Sequence, residues 1–222
     1  MTDRSLTWAE TVAVFERRGL PESSYGNLYD ESYDVRPGPL AIPGPLDLDA
    51  KGWTSATGVV VDGDLTVDGA LLNVDDGCPA LIVLGDLKAA DVYLEGDVKL
   101  LVLGDVTVTG AFIGNMTEKL VMVHGDLSAA VTVLSDEFAP DLIGGTLHGP
   151  VLAPAYLGYD QDTDPAAVLV PEVLRADGAD GDGQDGDDED GDDGGLRCFD
   201  APRVHGGRLL RRVVEGLPVA LR

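Results

Sequence analysis

The chain has 222 residues, with 40 Asp or Glu against 15 Lys or Arg and a formal net charge of −25. That balance speaks against nucleic acid and against an anionic membrane surface, both of which are held through Lys and Arg, and leaves a basic protein or a cation as the partner that charge would favour. Hydrophobic residues make up 44% and aromatics only 5%, with 29 glycines, so the core is expected to be Val, Leu, Ile and Ala between many turns.

Residues 1–43 read as an N-terminal helix and a lead-in. Thr7-Trp8-Ala9-Glu10 has the form of a capping box. Trp8, Val12 and Phe15 then share one helix face, and Gly19 and Pro21 supply a stop. The prolines and glycines between Arg36 and Pro45 suit an extended approach to the region that starts at residue 44. The helix is expected to cover an open end of that region.

Residues 44–158 carry an internal repeat. Gly-Asp-Leu/Val recurs at Gly63-Asp64-Leu65, Gly85-Asp86-Leu87, Gly104-Asp105-Val106 and Gly125-Asp126-Leu127, with weaker copies at Gly44-Pro45-Leu46 and Gly145-Thr146-Leu147. The interval stays near 20 residues, the scale of one rung in a solenoid, where stacked copies bury a core that none can bury alone. The fold expected is therefore a mainly β parallel solenoid of about five or six rungs, with short helices at both termini.

Strand alternation sorts each rung into two sets. Val59, Val61, Leu65 and Val67, with Leu81, Val83, Leu87 and Ala89 and their counterparts in later copies, form the core set. Asp64, Asp86, Asp105 and Asp126 fall on the solvent side together with Thr66, Lys88, Thr107 and Ser128. Val60, Ile82, Leu84, Leu101, Leu103 and Met122 also fall outside. They form an apolar stripe that is either an interface or a surface covered by another part of the chain.

Residues 159–176 form an extension, and 177–195 an acidic Asp/Gly run that reads as a disordered linker. No window of that run matches the EF-hand order. Residues 196–222 hold a second helix around Arg208–Glu215, ended by Gly216 and Pro218. Its arginines contrast with the acidic body, so it is expected to dock back onto the solenoid, where the linker holds it at high local concentration, the alternative being that it clamps an acidic partner.

No catalytic, cofactor-binding or metal-binding residues are expected. His124, His148 and His205 have no neighbours at ligand or triad spacing, and no nucleophile, P-loop or dinucleotide motif is present. The repeat residues Gly63, Asp64, Gly85, Asp86, Gly104, Asp105, Gly125 and Asp126 read as turn formers, because they recur with the repeat and not at one place. No apolar run reaches the ~18–20 residues of a membrane span. The N-terminal residues lack a signal peptide's pattern, and Cys78 and Cys198 fit reduced thiols, so a cytoplasmic protein is expected.

The run from Leu84-Gly85-Asp86-Leu87 to Leu103-Gly104-Asp105-Val106 resembles the glycine-rich rungs of bactofilins. The whole chain is similar to bacterial proteins with repeated GDL rungs that are described as polymer-forming. The resemblance covers roughly residues 44–152 and implies a right-handed β-helix and a capacity to self-assemble. Two functions compete. One is a non-enzymatic protein-binding module, of the immunity or inhibitor type, that occludes a basic partner. The other is a self-assembling structural scaffold.

Overall fold

A computed structural model describes residues 4–54, 56–75, 80–116, 119–175 and 199–221. The acidic run and both cysteines lie outside these residues. Strand β1 (Arg4–Leu6) and helices α1 (Trp8–Arg18) and α2 (Glu22–Tyr25) come first. A stack of strands comes next. Its first level is β2 (Tyr33–Pro37), β3 (Leu40–Ile42) and β4 (Leu46–Asp47). The second is β5 (Gly58–Asp62), β6 (Leu65–Val67) and β7 (Leu71–Asn73), and the third β8 (Ala80–Val83), β9 (Leu87–Ala89) and β10 (Val92–Leu94). In the fourth, β11 (Lys99–Val102) leads into the long β12 (Val106–Asn115). In the fifth, β13 (Leu120–Val123) leads into β14 (Leu127–Ser135). The last level is β15 (Leu142–Ile143), β16 (Leu147–His148) and β17 (Val151–Leu152). Two more helices lie beyond it, α3 (Pro165–Val168) and α4 (Gly206–Val214).

Each strand pairs in parallel with its counterpart one level on, so the chain is a parallel β-solenoid of about five turns. It has three faces. The first is β2-β5-β8-β11-β13-β15, extended by β1, which pairs antiparallel with β2. The second runs through β3, β6, β9 and the first halves of β12 and β14 to β16; the third runs through β4, β7, β10 and the second halves to β17. β12 and β14 turn the corner between those two faces, with a register break after Val108.

The interior is the core set read from the sequence. Val59, Val61, Leu65, Val67, Leu81, Val83, Leu87 and their counterparts form one buried cluster, joined by Leu71, Val92, Leu94 and Phe112 from the third face. One register differs from the sequence reading. Leu40 pairs with Leu65, so the first-level counterpart of Gly63-Asp64-Leu65 is Gly38-Pro39-Leu40. Gly44-Pro45-Leu46 belongs instead to the next corner, because Leu46 pairs with Leu71. The even spacing at Gly44 is a coincidence of phase: the loop between Leu48 and Thr57 lengthens the first level, and the solenoid begins at Tyr33.

That loop also corrects the expected role of the N-terminal helix. The open end of the core is covered by Leu48, which is buried, and by the indole of Trp53, which packs on the core under the Arg36 guanidinium 4.0 Å away. The helix lies elsewhere, on the first face. At the other end the core meets Phe138, Ala153, Leu157 and Tyr159.

Candidate interaction surface

The Gly-Asp repeat has a mechanical explanation. Asp64 Oδ1 accepts the backbone N–H of Asp86 (2.9 Å), Asp86 that of Asp105 (3.0 Å), Asp105 that of Asp126 (2.8 Å) and Asp126 that of Thr146 (2.7 Å). Each carboxylate occupies the space above its own level where the next level's Cβ would be. A Cβ on Gly85, Gly104, Gly125 or Gly145 would lie well under 3.0 Å from the Oδ1 of the Asp below. Glycine and aspartate are thus two halves of one joint, repeated up a corner of the solenoid.

In this column Oδ1 is engaged with backbone, while Asp64, Asp86 and Asp105 make no further hydrogen bond or ion pair through Oδ2 among the described residues. Asp126 Oδ2 meets His148 Nε2 at 3.4 Å. The Thr146 N–H and then His148 hold the Asp126 carboxyl below its usual range. The result is a row of carboxylates at rung spacing, about 4.8 Å, each fixed by the backbone above it.

Beside this row is the outer side of the second face. Its central column is Ala41, Thr66, Lys88, Thr107, Ser128 and His148, with Asp68 and Thr109 flanking; Lys88, Thr107 and His148 are exposed. The strands here read Leu-Thr-Val, Leu-Lys-Ala, Val-Thr-Val and Leu-Ser-Ala, an alternation of core and solvent residues.

The other two faces are covered by the chain itself. Val60, Ile82 and Leu101 are fully buried, Leu84 nearly so, and Leu103 and Met122 are half-buried. They lie under Leu6, Val14, Phe15, Leu20, Tyr25, Leu28 and Tyr33. The stripe offered as a candidate interface is therefore the seat of the N-terminal segment. The cover is organised around Trp8, whose ring centroid lies 5.8 Å from that of Tyr33 and 6.3 Å from that of Tyr25. The capping box forms as read: the Thr7 hydroxyl accepts from the Glu10 N–H and the Glu10 carboxylate from the Thr7 N–H. At the helix's other end the Arg18 guanidinium donates to the Asp62 carboxylate and carbonyl. The hydroxyl of α2's Ser24 and Nε2 of His124 are 3.0 Å apart. Burial pushes the imidazole's pKa down.

A second outer stripe went unread in the sequence. Ala70, Leu72, Tyr93, Ala111, Ile113, Val131 and Val133 face outward from the third face and are buried under Leu169, Val173, Phe199, Val204, Leu209, Val213 and Val219. This C-terminal cover includes α4, which docks back through its apolar residues Leu209 and Val213, while Arg208 and Arg211 stay exposed and Arg212 donates to the Pro218 carbonyl. Asp200 pins it. Its Oδ1 accepts from the Ser135 hydroxyl and the Asp136 N–H, its Oδ2 from the Tyr156 hydroxyl, and its own N–H donates to Ser135 Oγ. Asp136 and Glu137 both have left-handed backbone (φ 48° and 61°), a strained pair. Their N–H groups are taken by Asp200 Oδ1 and Tyr156 Oη.

Among the described residues no group of three or more His, Cys, Asp or Glu could hold a metal ion, and no helix is long and apolar enough to cross a membrane. His148 and His205 lie on different sides of the fold, His205 as the N-cap of α4. The buried Tyr93–Glu95 pair (2.5 Å) lies under the C-terminal cover. No family model, no curated protein and no solved structure matches this chain.

Proposed function

We propose that the chain is a non-enzymatic binding module of the cytoplasm that presents its second sheet face, edged by the carboxylate column, to a basic protein partner. The observation behind this reading is one of elimination. Of three solenoid faces, two carry apolar stripes closed by the chain's own terminal segments, and the remaining one is polar and, among the described residues, uncovered. A net charge of −25 steers a cationic partner toward it. The fixed row of carboxylates offers guanidinium groups pre-positioned acceptors at no further cost of ordering.

The experiment uses the joint itself. Asn keeps an Oδ1 that accepts the next level's N–H but removes the charge. Asp64→Asn/Asp86→Asn/Asp105→Asn/Asp126→Asn is therefore expected to leave the urea midpoint near wild type and to weaken binding of a deca-arginine probe at least tenfold at physiological salt. The control removes four exposed charges elsewhere, as Asp30→Asn/Asp160→Asn/Asp162→Asn/Glu172→Gln. Equal weakening by both sets would mean that net charge alone attracts the probe and would remove the support for this face.

A further inference from the structure

We infer that the solenoid is a closed stack whose first level is built to refuse another strand, so that a second copy cannot add to it rung upon rung. The first level's backbone shows how. Gly38, Leu40, Leu46 and Leu48 donate N–H bonds to the second level, to Asp62, Asp64, Ala70 and Leu72 carbonyls, and the carbonyls of Ile42 and Gly44 accept from Asp68 and Gly69. The even-numbered positions from 38 to 48 thus point into the stack.

Strand alternation turns the positions between them toward the outer edge. These are Pro37, Pro39, Ala41, Pro43, Pro45 and Asp47. Four of the six are proline and have no N–H to offer an incoming strand. The part of the edge that lies before them, Tyr33–Val35, is paired with β1. Between β1 and the prolines, Ala41 and Asp47 are the only edge-directed residues from 33 to 47 that keep a donor for a new strand. An unprotected edge of parallel strands is a template for association, and proline on the edge is one of the ways proteins prevent it.

The carboxylate column ends in step with this. Its first-level position is Pro39, which has neither the N–H to be capped nor the carboxylate to cap with, and its last-level position is Thr146. The joint that locks each inner level to the next is presented at neither end. The last level also offers only the two-residue strands β15, β16 and β17, too short to template much pairing. The rung-stacking route to a filament is closed by local chemistry at the first level, independently of the identity of any partner.

Light scattering coupled to size exclusion tests this in about 0.5 M salt, where charges more than a few ångströms apart are screened and self-repulsion of the acidic chain no longer masks association. Wild type is expected to hold the 23.2 kDa monomer mass over a hundredfold range of concentration. Pro43→Ala/Pro45→Ala, which restores two edge donors without touching the second-level bonds, is expected to at least double in mass over the same range while keeping the wild-type circular dichroism. If the double variant does not fold, Pro43→Ala alone is read the same way. A wild-type mass that climbs with concentration overturns the inference, and so does a folded proline variant that stays at the monomer mass.

Discussion

The glycine–carboxylate joint can be dissected where it occurs outside the Gly-Asp repeat. Asp91 Oδ1 accepts the N–H of Ala111 at 2.8 Å, and a Cβ on Gly110 would meet that same oxygen well under 3.0 Å away. Once the Asp91 carboxylate is removed, the nearest remaining atom is the Ala90 carbonyl oxygen at 3.0 Å, which a small shift can accommodate. Asp91→Ala loses a charge-assisted hydrogen bond and strands a half-buried N–H, a cost of about 1–3 kcal/mol. Gly110→Ala displaces the carboxylate, so it forfeits the same bond and adds overpacking, for about 2–5 kcal/mol in total. In the double variant the clash is gone and the bond can be lost only once. Alanine at 110 then costs about 1 kcal/mol or less, because Gly→Ala also reduces the freedom of the unfolded chain. The double-mutant cycle should therefore show a favourable coupling of about 1.5–3 kcal/mol. Urea melts of the four proteins at neutral pH, compared at a shared m value, measure it. Costs that simply add, to within about 0.5 kcal/mol, would mean that the glycine is there for some other reason and would undo the account of the Gly-Asp repeat.

Two further outcomes concern the N-terminal cover. Leu101 has no exposed surface and sits in the middle of the covered stripe, so Leu101→Asp is expected to cost about 3–5 kcal/mol; a wild-type urea midpoint would mean that the cover does not rest on the stripe. Burial lowers the His124 pKa in the fold below its unfolded value. Its stabilising contribution is thus complete above the ordinary histidine range and is lost as the pH falls through the lowered folded value. Melts at pH 7.5 and 5.5 should show a loss on acidification that is smaller in His124→Gln, and an equal loss in both proteins would exclude this histidine as the source.

How far the sequence could be read depends on the physics of each part. The Gly-Asp-Leu period is local, and the joint that causes it links adjacent levels only, so copies had to recur at near-constant intervals. The inner residues could be read from alternation because the core needs a side chain from every second position. Gly44 misled for a related reason: a glycine is also needed at the second corner, where a Cβ on Gly69 would meet the Pro45 nitrogen at 2.6 Å, and sequence alone does not say which corner a glycine serves. The Asp200 clasp was out of reach. It joins residues 65 apart through one side chain, and neither Ser135 nor Tyr156 belongs to a repeating pattern.

The covered faces, by contrast, announced themselves in the strands. On a solenoid every strand has an inner side that must be apolar, so an apolar outer side is visible only as the loss of alternation. First-face strands read Val-Val-Val, Leu-Ile-Val and Leu-Leu-Val, and third-face strands, in register, read Leu-Leu-Asn, Val-Tyr-Leu and Phe-Ile-Gly. Second-face strands keep Thr, Lys, Thr and Ser between their core residues. A continuous run marks a face buried on both sides, as in any parallel sheet packed between layers. Applied evenly, that rule finds both stripes and calls for two covers. The chain has two amphipathic segments, one at each end, and each closes the face it can reach: Phe15 and Tyr25 on Ile82 and Leu101, Leu209 and Val213 on the stripe of Tyr93 and Ile113. The polar second face is then what two covers leave over. Adding one apolar residue per rung at Thr66, Lys88, Thr107 and Ser128 would create a third stripe, and among the described residues both amphipathic end segments are already engaged on the other two faces.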